Sequence, residues 1–333
     1  IVVECRVLLL HLTCNFALKM VSENLHKIIA WIFVLIIEIF IYPILIVVSW
    51  IVVHIDNNRH KEEKSIKGDV AVVTGSAGGL GKCIADELAA KGCHVAICDI
   101  NYDLAVTTAK EIADKYGVKT KAYKVDVSNY DEIVELNEKV TSDIGTTTIL
   151  VNNAGLLLHS NQLNPTVQEI KRMINVNYMS HFWTNRVFLE NMKRAKKGHI
   201  VAICSVAGIE ILPQSEPYCS TKIAIRTLMR VLRAELKFNG FQDIRLMTVY
   251  PYFMKTNPGI KSMSETGEYP NLYPILGGEE VAKKTVASML RGEVEIAIPG
   301  FLLLTYRMQT LLPQRFQDWM LTKIMSAVTK EKN

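Results

Sequence analysis

Residues 69–92 read DVAVVTGSAGGLGKCIADELAAKG. A run of four apolar, mostly β-branched residues, 70–73, passes within two positions into a glycine-rich turn, and the turn opens directly into an amphipathic helical pattern. This is a buried strand feeding a helix, the first βα unit of a parallel sheet. Gly75, Gly79 and Gly81 form Thr-Gly-x-x-x-Gly-x-Gly across the turn, with Ser76 and Leu80 between them. Glycine is needed where the backbone turns tightly and where a pyrophosphate must approach amides at a helix N-terminus, whose dipole favours an anion. The five residues Gly75, Ser76, Gly79, Leu80 and Gly81 are therefore expected to lie along a dinucleotide.

The same alternation continues outward. The next strand, HVAICDI (94–100), ends at Asp99, 24 residues past Gly75. That spacing suits a carboxylate that accepts from the adenosine ribose hydroxyls. It would repel a 2′-phosphate, and no Lys or Arg stands at 76–78 or 100–101 to offset it, so NAD is favoured over NADP. KAYKVDVS (121–128) places Asp126 and Val127 at a third strand end, beside the expected adenine. TILVNNAG (148–155) ends a fourth strand at Asn152, with Asn153, Ala154 and Gly155 following.

A fifth buried run, GHIVAICSVAG (198–208), leads to Ser205, and PYCSTKIAIRTLMRVLRAEL (217–236) is a strong helix pattern carrying Tyr218 and Lys222. Four residues apart, the two share one helix face. A phenol with pKa about 10 is a poor base at neutral pH. A neighbouring ammonium and a cationic nicotinamide would both stabilise its phenolate and lower that value, making Tyr218 a general acid/base for an alcohol or carbonyl. Ser205 can donate to the same substrate oxygen.

In this order, TGSAGGLG, NNAG, the Asn of MINVNYMSHFW, ICSVAG and YCSTK resemble the short-chain dehydrogenase/reductase superfamily over roughly residues 67–300. The resemblance implies a single α/β Rossmann-type doubly wound domain with a seven-stranded parallel sheet, commonly a homodimer. It implies that Tyr218 is the catalytic acid/base, that Lys222 lowers its pKa and binds the nicotinamide ribose, and that Ser205 orients the substrate. It further implies that Asn177 holds a water linking Lys222 to solvent, and that Thr256 contacts the nicotinamide carboxamide. In MTVYPYFMKT (247–256), Tyr252 follows Pro251 where the family commonly has glycine; Pro251 is expected beside the cofactor and Tyr252 beside the substrate. Pro-Tyr here, FWT after the Asn, an apolar N-terminal segment and a C-terminal LLP resemble the membrane-bound branch of epidermal retinol dehydrogenases, retinol dehydrogenase 10 and 17β-hydroxysteroid dehydrogenases 11 and 13.

Outside the motifs, the 333 residues carry 38 Lys+Arg against 33 Asp+Glu, net +5, and are 49% hydrophobic. That excludes a disordered tail, a collagen and a charge-rich coiled coil, and so small and even a charge argues against nucleic acid. Seven cysteines without a Cys-x-x-Cys pair, and no Asn-x-Ser/Thr sequon, suggest neither a metal site nor a disulfide framework. The mean hydropathy of +0.17 concentrates in 28–53, IIAWIFVLIIEIFIYPILIVVSWIVV, whose one charge is Glu38 and whose one helix breaker is Pro43. It is long enough to span a bilayer as a helix or to bend into a hairpin. Basic residues at 59, 61, 64 and 67 favour a cytoplasmic C-terminal side.

The expected organisation is a lead over 1–27, a membrane anchor over 28–53, a charged linker over 54–67, the dehydrogenase domain over 68–300 and an amphipathic tail over 301–333. Met20 reads as an initiator, leaving 1–19 without function. Leu156–Leu158, Ile209, Ile211, Leu212 and Tyr252 are the expected apolar walls beneath a variable lid at 257–276. The whole describes an NAD-dependent oxidoreductase acting on an apolar lipid alcohol such as a retinol, a 17β-hydroxysteroid or a long-chain alcohol. Its expected place is the endoplasmic reticulum membrane or lipid-droplet surface, with the catalytic domain facing the cytoplasm. An NADPH-linked carbonyl reductase and a lipid-droplet scaffold or lipid-binding protein with incidental turnover remain the rival readings.

Overall fold

The computed structural model describes residues 63–157, 165–212, 215–256 and 275–330, together with 31–34, 36–41, 44, 47 and 48. The lead over 1–27, the start at Met20, most of the 28–53 segment, the linker up to 62 and the lid over 257–274 lie outside the described residues. Within 28–53, Ile37–Ile41 forms one π-helical turn. Among the described residues no helix is long and apolar enough to cross a membrane.

From residue 63 onward seven parallel strands form one sheet in the order β3-β2-β1-β4-β5-β6-β7. They are β1 Val70–Thr74, β2 His94–Asp99, β3 Thr120–Lys124, β4 Ile149–Asn152, β5 Gly198–Ile203, β6 Ile244–Pro251 and β7 Glu295–Ile298. β1 pairs with β2 (Val72 opposite Ala96) on one side and with β4 (Val72 opposite Leu150) on the other. All five residues of β1 and all six of β5 are buried, because helices cover both faces of a parallel sheet and alternation gives way to continuous apolar runs. The expectation of a doubly wound domain with seven parallel strands is met.

The helices are α1 Gly79–Ala90, α2 Tyr102–Tyr116, α3 Tyr130–Asp143, α4 Val167–Ile174, α5 Ser180–Ala195, α6 Glu216–Phe238, α7 Gly278–Arg291, α8 Phe301–Gln309 and α9 Gln314–Lys330. Local chemistry sets several ends. Asn101 caps α2 by accepting from Leu104 N, and Gly117 closes it with φ +66. Thr166 and Glu169 form a reciprocal capping box on α4. Strand order reverses between β1 and β4, and in open α/β sheets a crevice for ligands opens there, at the carboxyl ends of the strands.

Candidate active site

At this crevice the glycine turn is tied down by its neighbours. Thr74 Oγ1 accepts from the backbone N–H of Asn153 (3.0 Å) and Ala154 (3.1 Å). Asn153 Nδ2 donates to the carbonyls of Thr74 and Gly75, both at 2.9 Å. The β4 end is thereby bolted to the β1 turn, and the packing leaves no room for side chains. A Cβ on Gly81 would lie 2.2 Å from Gly75 O and 2.6 Å from Asn153 Nδ2, and one on Gly75 would lie 2.9 Å from Ala154 Cα. Gly79 is different. Its φ of +57 requires a left-handed backbone, while the space around it is open, with Thr256 nearest at 3.9 Å. Thr256 therefore stands beside the turn, although the two are far apart in sequence.

Helix α1 starts from Gly78 in an extended conformation with no side-chain cap. Its first turn thus has no side-chain acceptor at the N-cap, and a helix N-terminus of this kind suits an anion. Asp99 is bound locally as well: Oδ2 accepts from Ala77 N and Oδ1 from Asn101 N, each at 3.0 Å. Asp99 thus shapes the turn, and each of its carboxylate oxygens keeps further acceptor capacity at the strand end. An uncapped helix N-terminus, a turn with no room for a Cβ at Gly75 or Gly81 and an acidic strand end together fit a dinucleotide.

The other residues of the expected cofactor side have local partners of their own. Ser76 is fully buried; its hydroxyl donates to Val73 O (2.6 Å) and accepts from Cys98 N (3.0 Å), stitching β1 to β2 instead of facing the crevice. Asp126 Oδ1 is occupied by Ser128 N and Oγ in a local turn, next to Val127, which is 7% exposed. Pro251 ends β6, buried opposite Ile298.

The chemical end lies on the other side of the switch point. β5 delivers Ser205 in extended conformation, capping a short 3₁₀ turn, and α6 brings Tyr218 and Lys222 on one face. Ser205 hydrogen-bonds the Tyr218 phenol. Lys222 is 4% exposed; its Nζ donates to Ile203 O at 3.2 Å and sits 5.6 Å from the centre of the Tyr218 ring. A Cβ built on Gly155 would stand 3.6 Å from this Nζ and 3.5 Å from Asn177 Oδ1, so Gly155, Asn177 and Lys222 meet at one point.

Asn177 belongs to a π-helical segment, Asn175–Met179, between α4 and α5. Its amide grips the backbone of Leu156: Oδ1 accepts from Leu156 N at 2.6 Å and Nδ2 donates to Leu156 O at 2.8 Å. The side chain is thus committed to the loop after β4, and any water held here would rest on backbone groups of the π-turn.

The electrostatics also differ from the expectation of a lowered phenol. Burial pushes Tyr218 up to about 12, with the Ser205 hydrogen bond opposing it, while burial holds Lys222 below the usual lysine value. In the protein alone, desolvation outweighs the ammonium.

On the substrate side, Tyr252 is buried and packs edge-on against Phe253, with centroids 4.8 Å apart. Ile209, like Tyr252, belongs to the buried core, whereas Ile211 is exposed; Leu156, Leu157 and Leu212 are partly buried, and Leu158 lies outside the described residues. The base of the lid is zipped where Lys255 N donates to Leu276 O and Leu276 N to Phe253 O.

Fold and site define an oxidoreductase, and the chain belongs to the short-chain dehydrogenase family, whose profile, described as short chain dehydrogenase, matches residues 69–266. Among curated relatives, 17-beta-hydroxysteroid dehydrogenase 13 of Homo sapiens is 32% identical over 84% of this chain and 91% of its own length. Estradiol 17-beta-dehydrogenase 11 of Rattus norvegicus is 32% identical over 78% and 84%. Short-chain dehydrogenase/reductase family 16C member 6 of Bos taurus is 34% identical over 72% and 75%. These relatives place the chain in the hydroxysteroid dehydrogenase branch. Among solved structures, a short chain dehydrogenase/reductase from Burkholderia phymatum in complex with NAD aligns with a TM-score of 0.67 over 74% of this chain and 94% of its own, a likeness of fold at 22% identity. An alcohol dehydrogenase from the archaeon Thermococcus sibiricus complexed with 5-hydroxy-NADP aligns at 0.60 and 27% identity, over 69% and 95%.

Proposed function

We propose that the protein is a membrane-associated, NAD-dependent dehydrogenase that oxidises the hydroxyl of an apolar lipid alcohol, with Ser205, Tyr218 and Lys222 as its catalytic set. The observation that carries this reading is the meeting of these three side chains beside Gly155, across the switch point from the turn held by Asp99. NAD, when bound along Gly75–Gly81, supplies the hydride acceptor and a positive ring.

Ser205 orients the substrate oxygen by hydrogen bonding, and Tyr218 takes the hydroxyl proton at its phenolic oxygen. A phenol near 12 must fall by about 4–5 units to act as a base near neutral pH, or roughly 5–7 kcal/mol. Lys222 supplies one positive charge near the ring, and a second on the bound cofactor would add to it, so the reaction direction follows the redox form of the bound cofactor. With no such charge Tyr218 stays protonated and suits the reverse step, as a general acid toward a carbonyl.

Membrane association rests on the apolar 28–53 segment, joined by the 54–67 linker to the 68–300 domain, and on the 301–333 tail. There Leu304, Met308, Leu311, Phe316 and Trp319 are exposed, Phe316 stacks on Trp319, and the same segment carries Arg307, Arg315 and Lys323. Exposed apolar and basic side chains in one segment suit an anionic lipid surface. The proposed place is the endoplasmic reticulum membrane or lipid droplet, catalytic domain to the cytoplasm, with two copies paired.

The test is a panel of retinol, a 17β-hydroxysteroid and a long-chain alcohol, assayed in membranes with NAD and NADP in parallel. Turnover of at least one, with NAD favoured about tenfold or more in kcat/KM, is expected. A preference for NADP, or turnover of water-soluble alcohols alone, overturns it.

A further inference from the structure

Helix α5 and the π-turn before it bury an unusual face. Asn177, His181, Thr184 and Asn185, at successive i+4, i+3 and i+1 spacings, are 0%, 1%, 1% and 4% exposed. A buried helix face is ordinarily apolar, and buried polar groups are retained only when hydrogen-bonded. Here nearly all are. Asn177 grips Leu156 and faces Thr221. Thr184 donates to Asn152 Oδ1 at 2.7 Å, and Asn152 Nδ2 donates to Asn185 Oδ1 at 2.9 Å. The exception is His181, between the two groups: among the described residues neither Nδ1 nor Nε2 has a hydrogen-bond partner. Lys222, on α6, is the charged group that acts on it; the groups facing the seam from β4 and α6, Asn152 and Thr221, are neutral.

We propose that His181 is a positioning residue of the Tyr218–Lys222 centre, its neutral imidazole holding internal water that hydrogen-bonds the Lys222 ammonium from the buried side. This inference rests on the proposed roles of Tyr218 and Lys222. Two nitrogens in one buried place cost several kcal/mol if left bare, and an internal water needs two to four polar partners. Lys222 has three donors, of which Ile203 O takes one. Burial holds the imidazole far below its ordinary value, at about 3, so it stays uncharged and accepts from water instead of repelling the ammonium. Solvated in this way, Lys222 keeps its proton where bulk water does not reach, and a charged Lys222 is what favours the Tyr218 phenolate.

The experiment compares the full chain, in membranes, with His181→Phe, His181→Met, His181→Gln and Tyr218→Phe. The kcat–pH profile of alcohol oxidation is recorded with KM and the melting temperature. The two apolar variants should lower kcat about tenfold near pH 7 with KM within about twofold, and displace the acid limb to higher pH by about one unit, since a less stable ammonium leaves a weaker phenolate. His181→Gln, which restores a donor and an acceptor at similar volume, should return the limb to the wild-type position. An unchanged limb in a folded apolar variant, even with a lowered melting temperature, makes His181 merely structural and overturns the proposal. His181→Met decides if His181→Phe does not fold. Activity in Tyr218→Phe would instead overturn the reading of the site itself, so the two failures are separable.

Discussion

Two glycines of the β1–α1 turn should fail for opposite reasons. At Gly81 a Cβ would sit 2.2 Å from Gly75 O and 2.6 Å from Asn153 Nδ2, about 1 Å inside a contact distance of roughly 3.5 Å. Both atoms belong to the bolt between β1 and β4, so neither can yield without breaking the bonds from Asn153 Nδ2 to Thr74 O and Gly75 O. Gly81→Ala should therefore cost about 1–3 kcal/mol of overpacking plus about 1 kcal/mol for each bond lost. At roughly 2–4 °C per kcal/mol for a domain of this size, a loss of about 3–5 kcal/mol lowers the melting temperature by about 6–20 °C, and NAD affinity falls with it. At Gly79 the space is open and the obstacle is φ +57, worth about 1–2 kcal/mol for Ala and less for Asn, which tolerates that conformation. The two positions thus predict opposite orders in thermal melts: Gly, Asn, Ala at 79, but Gly, Ala, Asn at 81, from most to least stable. The same order at both positions, or Gly81→Ala melting with the wild type, would refute this account of the turn.

Other outcomes can be checked directly. Burial holds His181 and His199 down at about 3 and about 4, so both are neutral in the folded protein, while the unfolded chain takes up protons below about pH 6.5. Their stabilisation is complete above that value and is lost as pH falls toward 4 and 3. Denaturant melts should show about 2 kcal/mol lost per histidine by pH 5, and a flat profile from 7.5 to 5 would contradict it. Asp99→Asn should admit NADP, raising its kcat/KM relative to NAD by tenfold or more, because the charge opposing a 2′-phosphate is gone. An unchanged ratio would remove Asp99 from cofactor choice. Trp319, 54% exposed, should blue-shift its emission on anionic phosphatidylserine vesicles and less on neutral ones; an unshifted spectrum would leave the tail as packing only.

Much of this site is written in spacing and order. The three glycine-bearing motifs, Asp99 and the Tyr218/Lys222 pair can be placed from the chain because strand and helix periods dictate which residues reach a strand end or share a face. Hydrogen-bond partners have no such period. Thr74 stood inside the quoted glycine motif, yet its hydroxyl became visible as a bolt only when β4 was laid beside β1. The Ser76 hydroxyl bonds into the sheet, and spacing does not tell which way a turn residue points. The raised phenol of Tyr218 was missed because counting nearby charges says nothing about burial, and burial won. His181 carries a signal of its own: a polar residue four positions after Asn177, on a face where an apolar one is due.

Tyr218→Phe tests the central claim most directly, measured on the full chain in membranes with the best alcohol of the panel and with NAD binding followed separately. The account predicts turnover reduced by two to four orders of magnitude, about the contribution of general acid/base catalysis, with NAD affinity within about threefold of wild type. Near-wild-type turnover in a variant that binds NAD would contradict it.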